Sequence, residues 1–130
     1  MLEDFIYEIP FISAGFPSPA EDFSDFLISL DDEFIKHPAA TFMSYVNGDS
    51  MVDAGIFHGD ILIIDRSLKA KNGNIVVALL NGEFTVKKLL MINGKLSLVS
   101  ENENYKPINI TLEMDFQVWG VVTTSIKRFI

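Results

Sequence analysis

The stretch NIVVALLNGEFTVKKLLMINGKLSLV, residues 74–99, decides the fold. Two Asn-Gly dipeptides, Asn81-Gly82 and Asn93-Gly94, punctuate runs rich in valine, leucine and isoleucine. A two-residue hairpin turn needs positive φ at both positions, which asparagine and glycine tolerate best, so each dipeptide predicts a tight hairpin. Asn74–Leu80, Glu83–Met91 and Lys95–Val99 then form a meander of three antiparallel strands. Upstream, Thr41–Val46 and the dense apolar run Ile61–Asp65 read as strands on either side of a turn region from Gly48 to Gly59. Downstream, Gln117–Thr124 and Ser125–Ile130 supply closing strands, with Trp119 as a core or interface residue. The expectation is a mostly β protein, a partly open β-barrel or sandwich.

The first third of the chain has another character. Residues 1–39 hold four of the five prolines (Pro10, Pro17, Pro19, Pro38) and the acidic residues Glu21, Asp22, Asp25, Asp31, Asp32 and Glu33. Prolines at 10, 17 and 19 forbid a continuous helix and cannot donate to a central ladder. This region is expected to be a flexible, extended arm with one short helix at about 31–36, capped by Asp31 or Asp32 and closed by Pro38. The division is an arm over 1–39 and a β-rich domain over 40–130.

Composition narrows the function. A chain of 130 residues with 48% hydrophobic content is one packed domain. A formal charge of −8 argues against direct binding to nucleic acid, whose partners carry a basic face. With no cysteine and two separated histidines, no metal or cofactor site is expected. No apolar run approaches the roughly 18 residues that span a bilayer, and Met1–Pro10 lacks a basic leader, so a cytoplasmic protein with no membrane partner is expected.

Chemistry concentrates at two places. Gly48-Asp49-Ser50-Met51 sets a serine at a tight turn, and Phe84-Thr85-Val86-Lys87-Lys88-Leu89 sets two lysines mid-strand. A serine hydroxyl is a weak nucleophile until a base takes its proton. His37, before Pro38, and His58, in a polar turn, both read as surface residues. A lysine can serve only when neutral. Bringing its pKa from near 10.4 to about 7–8 takes on the order of 4 kcal/mol, which burial can supply. Period-two alternation puts Lys87 with Thr85 and Leu89, and Lys88 with Phe84, Val86 and Leu90. Alternation does not say which lysine is buried, although Lys87 fits better. Taken singly, each motif is as compatible with a solvated strand and an ordinary turn. Upstream, Ala14-Gly15-Phe16-Pro17-Ser18-Pro19 offers a small-residue dipeptide in an extended segment.

These motifs, with Gly59-Asp60 ahead of an apolar strand, resemble in order the LexA/UmuD family of self-cleaving Ser-Lys peptidases, UmuD-type members above all. The resemblance runs from about Gly15 to the C-terminus. It implies the LexA C-terminal type of fold, with Ser50 as nucleophile, Lys87 as general base, and Ala14-Gly15 as the scissile bond. It further implies a homodimer, self-cleavage stimulated by a RecA–single-stranded DNA filament, and a processed form that joins a UmuC-type error-prone DNA polymerase in SOS mutagenesis after DNA damage. UmuD-type members carry Cys-Gly at the cut, whereas this chain has Ala-Gly, as LexA does; both residues are small. The 14 residues up to Ala14 are too few for a helix-turn-helix, so operator repression is not expected. Two other classes compete: a non-catalytic docking module of the same fold, and a signal-peptidase-like enzyme acting on other chains. An internal cleavage motif without a membrane anchor argues against the second.

Overall fold

The computed structural model describes residues 12–15 and 29–130. Most of the segment behind the extended-arm expectation, including Pro10, Pro17, Pro19 and Glu21–Asp25, lies outside the described residues. A short helix α1 (Leu30–Phe34) precedes seven strands: β1 (Thr41–Tyr45), β2 (Ile61–Asp65), β3 (Ile75–Leu80), β4 (Glu83–Ile92), β5 (Lys95–Val99), β6 (Ile108–Asn109) and β7 (Phe116–Ile126). They form one antiparallel sheet in the order β1-β2-β7-β3-β4-β5-β6.

The expected meander is there. Asn81 and Gly82 take φ of 49° and 83°, and Asn93 and Gly94 take 51° and 76°, the left-handed pairs that a two-residue hairpin requires. The last strand then inserts between β2 and β3, so the C-terminal strand of the sheet lies near its centre while β1, the first, stays at one edge.

β7 bends as it crosses. Ile63 faces Thr124 while Ile64 faces Val122, and Val77 faces Gly120 while Ala78 faces Val118. Thr123 and Trp119 are thus extra residues in the strand, and such bulges increase local twist and redirect side chains. Next to Trp119, a Cβ on Gly120 would stand 2.6 Å from Ile64 Cγ2, so only glycine lets β7 lie this close to β2.

Twist lets the single sheet bury apolar residues on both faces. Val46, Met51, Ile56, Leu62, Ile64 and Val77 pack in one cluster. Val76, Ala78, Leu89, Leu98 and Val121 pack in the other. Successive residues of β3, Val76 and Val77, go to opposite clusters, as strand alternation demands.

The fold is mostly β as expected, and the sheet is open, with β1 and β6 at its edges. Three details depart from expectation. The two expected closing strands are one, because no turn residue separates Thr124 from Ser125; β7 runs on to Ile126 and residues 127–130 lie outside any strand. The helix starts earlier and is capped by Ser29, whose Oγ accepts from the Asp32 N–H at 3.3 Å, rather than by Asp31 or Asp32. The two-residue strand β6, too short for any periodic signal, was not expected.

Candidate active site

β1 ends at Tyr45, and Gly48 turns the chain with φ of 100°, a backbone that disfavours any side chain. Ser50 follows, and Met51 behind it is sunk in the core at 2% exposure. The buried methionine anchors the turn and leaves the serine at the rim. Across from it, Lys87 sits in β4 opposite Val76. Its Nζ donates to Ser50 Oγ at 3.1 Å and to the Val86 carbonyl at 3.1 Å. No carboxylate pairs with Lys87 among the described residues. Burial holds its ammonium below the usual lysine range, because the charged form loses hydration without gaining a counter-ion.

The neighbouring lysine resolves what alternation left open. Lys88 forms an ion pair with Glu101. The two lysines therefore differ in kind: one faces a hydroxyl, the other a carboxylate.

Ser50 and Lys87 line a cleft of about 560 Å³ that runs along β1 and β4. Its apolar wall includes Phe42, Phe84 and Trp119, the Trp119 ring lying 5.2 Å from Phe42 and 5.6 Å from Phe84 between centroids. The Arg66 guanidinium stacks 4.4 Å above the same indole, and its Nε donates to the Trp119 carbonyl at 2.8 Å. The bulge in β7 thus turns Trp119 into a cleft wall.

Side chains to which sequence reasoning gave no part in the site hold the serine turn. His58 Nδ1 accepts from the Gly48 N–H at 3.2 Å. Asn102 Nδ2 donates to the Asp49 carbonyl at 2.9 Å, and the Tyr105 hydroxyl donates to Asp49 Oδ1 at 2.5 Å. Glu101 supplies an N–H to Met51 Sδ and a carbonyl to the Asp53 N–H. The only available signal was the polar run Glu101–Tyr105 directly after a strand, which reads as a loop and nothing more. Both histidines lie at the surface, as expected, yet each is engaged: His37 Nδ1 meets the buried Asp65 carboxylate at 2.5 Å.

Ala14 and Gly15 form an exposed bend and are not among the residues lining the cleft. Among the described residues, no group of three His, Cys, Asp or Glu side chains is placed to hold a metal ion. No helix among them is long and apolar enough to cross a membrane.

A profile of the family described as Peptidase S24-like matches residues 5–123. The chain is 41% identical to Protein MucA of Salmonella typhimurium over 126 residues, covering 93% of this chain and 86% of MucA. It is 42% identical to Protein ImpA of Shigella flexneri over 119 residues, covering 88% and 78% of the two chains. The LexA repressor of Stenotrophomonas maltophilia is 37% identical over 123 residues, which span 92% of this chain and 58% of the repressor.

Proposed function

The chain belongs to the Peptidase S24-like family, and from that premise we propose that it is a serine peptidase that cuts itself between Ala14 and Gly15. The observation that carries the reading is the 3.1 Å contact between Ser50 Oγ and a half-buried lysine that meets no carboxylate among the described residues. Ser50 is the nucleophile and Lys87 its general base.

Neutral Lys87 takes the Ser50 proton as Oγ attacks the Ala14 carbonyl carbon. Negative charge moves to the carbonyl oxygen, where the N–H groups of Ser50 and Met51 can receive it. Neither donates to an acceptor among the described residues, so both are open to an oxyanion. Protonated Lys87 then passes its proton to the Gly15 nitrogen as the peptide bond breaks. Water, deprotonated by Lys87, releases the acyl group from Ser50.

Residues 1–39 act as the arm that delivers the bond and residues 40–130 as the domain that cuts it. Because the bend at Ala14-Gly15 is exposed outside the cleft, the arm must leave that position before cleavage. The outer edge of β1, unpaired among the described residues, can accept an extended segment by strand addition. A required rearrangement makes unaided cleavage slow and open to stimulation.

The biological role rests on the UmuD-type resemblance together with the identity to MucA and ImpA. The chain acts as a homodimer, a RecA filament on single-stranded DNA promotes its cleavage, and the shortened product serves a UmuC-type error-prone polymerase in the cytoplasm during SOS mutagenesis.

Incubating the full chain at about pH 10, where lysine is increasingly neutral, and separately with RecA, ATP and single-stranded DNA, tests both levels. Mass spectrometry should find a fragment beginning at Gly15 in both cases and none from Ser50→Ala. An intact wild-type chain under both conditions, or a Ser50→Ala chain that still cuts, overturns the peptidase and leaves the docking module.

A further inference from the structure

The loop after β5 does more than connect strands. Its second residue, Glu101, is tied on three sides: its carboxylate to Lys88, its N–H to Met51 Sδ, and its carbonyl to the Asp53 N–H. Asn102 Nδ2 then reaches the Asp49 carbonyl, while its own Oδ1 and carbonyl accept from the Asn104 and Tyr105 N–H groups and set the loop's curve. That curve places the Tyr105 hydroxyl on Asp49 Oδ1, joining residues 56 positions apart beside the nucleophile turn.

We propose that Tyr105 is a positioning residue for self-cleavage, holding Ser50 in register with Lys87 through its hydrogen bond to Asp49. The inference rests on the reading of Ser50 and Lys87 as the reacting pair. Asp49 is exposed and Tyr105 is 44% exposed, and a bond between such groups adds little to global stability. Its effect is local. Ser50 follows Asp49 directly, so any swing of the Asp49 peptide moves Oγ away from Nζ, and small misplacements of a reacting group are costly in rate. His58 holds the turn one residue earlier, at the Gly48 N–H, leaving Asp49 as the joint that Tyr105 and Asn102 secure. The hydrogen bond to the Asp49 carboxylate, and then that group's charge, push the Tyr105 phenol up.

The test is the first-order rate of appearance of the Gly15 fragment from the full chain at alkaline pH. Tyr105→Phe should slow it about ten-fold with the melting temperature unchanged. Asp49→Asn keeps an oxygen for the hydroxyl and should cut within about two-fold of wild type, whereas Asp49→Ala should match Tyr105→Phe. The double variant Asp49→Ala/Tyr105→Phe should be no slower than either single one, since both break the same bond. A Tyr105→Phe chain that cuts at the wild-type rate, losses that multiply to about a hundred-fold, or Asp49→Asn as slow as Asp49→Ala would each overturn the inference. A wild-type chain that yields no fragment would bring down the Ser50 reading, and this one with it; a cutting wild type beside an unimpaired Tyr105→Phe removes this one alone.

Discussion

Two corners of this molecule each set a lysine ammonium against oxygen, and they do opposite things with it. At the end of β7, Lys127 Nζ reaches both oxygens of the buried Asp60 carboxylate, at 2.8 and 3.0 Å, and lies 4.5 Å above the Phe57 ring. Asp60 also accepts from the Phe57 N–H at 2.8 Å. Lys127 first, and then that N–H, hold the carboxyl below its ordinary range, so the pair is a charged fastener. In the cleft, Lys87 meets a hydroxyl and a peptide carbonyl, and burial works against its charge. The residue type and the contact distance are nearly the same. What differs is whether an anion stands opposite: Asp60 keeps Lys127 a charged fastener, while the lysine proposed as base has none among the described residues.

The sharpest way to break the comparison is Lys87→Arg against Lys127→Arg. A guanidinium keeps charge and reach but cannot give up its proton in a protein. Self-cleavage should fall by about a thousand-fold in Lys87→Arg, the scale of a lost general base, and stay within about two-fold in Lys127→Arg, which preserves the pairing with Asp60. The rate of Gly15-fragment appearance measures both. Equal losses would mean that the cleft lysine works through its charge.

pH sharpens the same contrast. Below the lowered pKa of Lys87, the cleavage rate should climb about ten-fold per unit as neutral lysine accumulates, and level off above it; a profile with no rising limb anywhere between about pH 5 and about pH 10 would remove Lys87 as base. Stability moves in the same direction. Between the lowered folded value and the ordinary 10.5, the unfolded chain holds a proton that the folded chain has shed. Folding is therefore favoured increasingly as pH rises through that window. Urea unfolding of the uncuttable Ser50→Ala chain should show the rise, and adding Lys87→Met should flatten it.

The smallest expected effect belongs to the fastener. Asp60 has a lowered folded pKa, so its contribution is complete above the ordinary value near 3.8 and disappears as pH falls through the folded one. Asp60→Asn should lower the melting temperature by a few degrees at neutral pH, and the difference should close in acid. A gap that persists below about pH 3 would assign the loss to packing against Phe57 instead of charge.

These corners also mark how far the residues could be read. Asn81-Gly82 and Asn93-Gly94 made the meander legible because positive φ is a local demand that few residue pairs meet. Ser50 and Lys87 could be nominated, since a turn serine and a mid-strand lysine are local features. Their meeting was not legible from alternation, which leaves Lys87 and Lys88 equivalent until Glu101 claims one of them. Tyr105, Asn102 and His58 gave no sign, because what matters in each is the atom it touches across 56, 53 or 10 positions of chain. The merged β7 escaped for another reason: its bulges at Trp119 and Thr123 reflect the partners on either side, not a periodicity of its own.

By itself the order of residues determined where the chain turns, which runs become strands, and that a serine and a lysine stand at positions fit for nucleophile and base, since these follow from φ preferences and side-chain chemistry within a few residues. Only the tertiary structure decided that β7 enters between β2 and β3, that Trp119 walls the cleft, and that Lys87 is half-buried against Ser50 while Lys88 finds a carboxylate. Desolvation and pairing depend on what arrives from elsewhere in the chain, and no local pattern contains that.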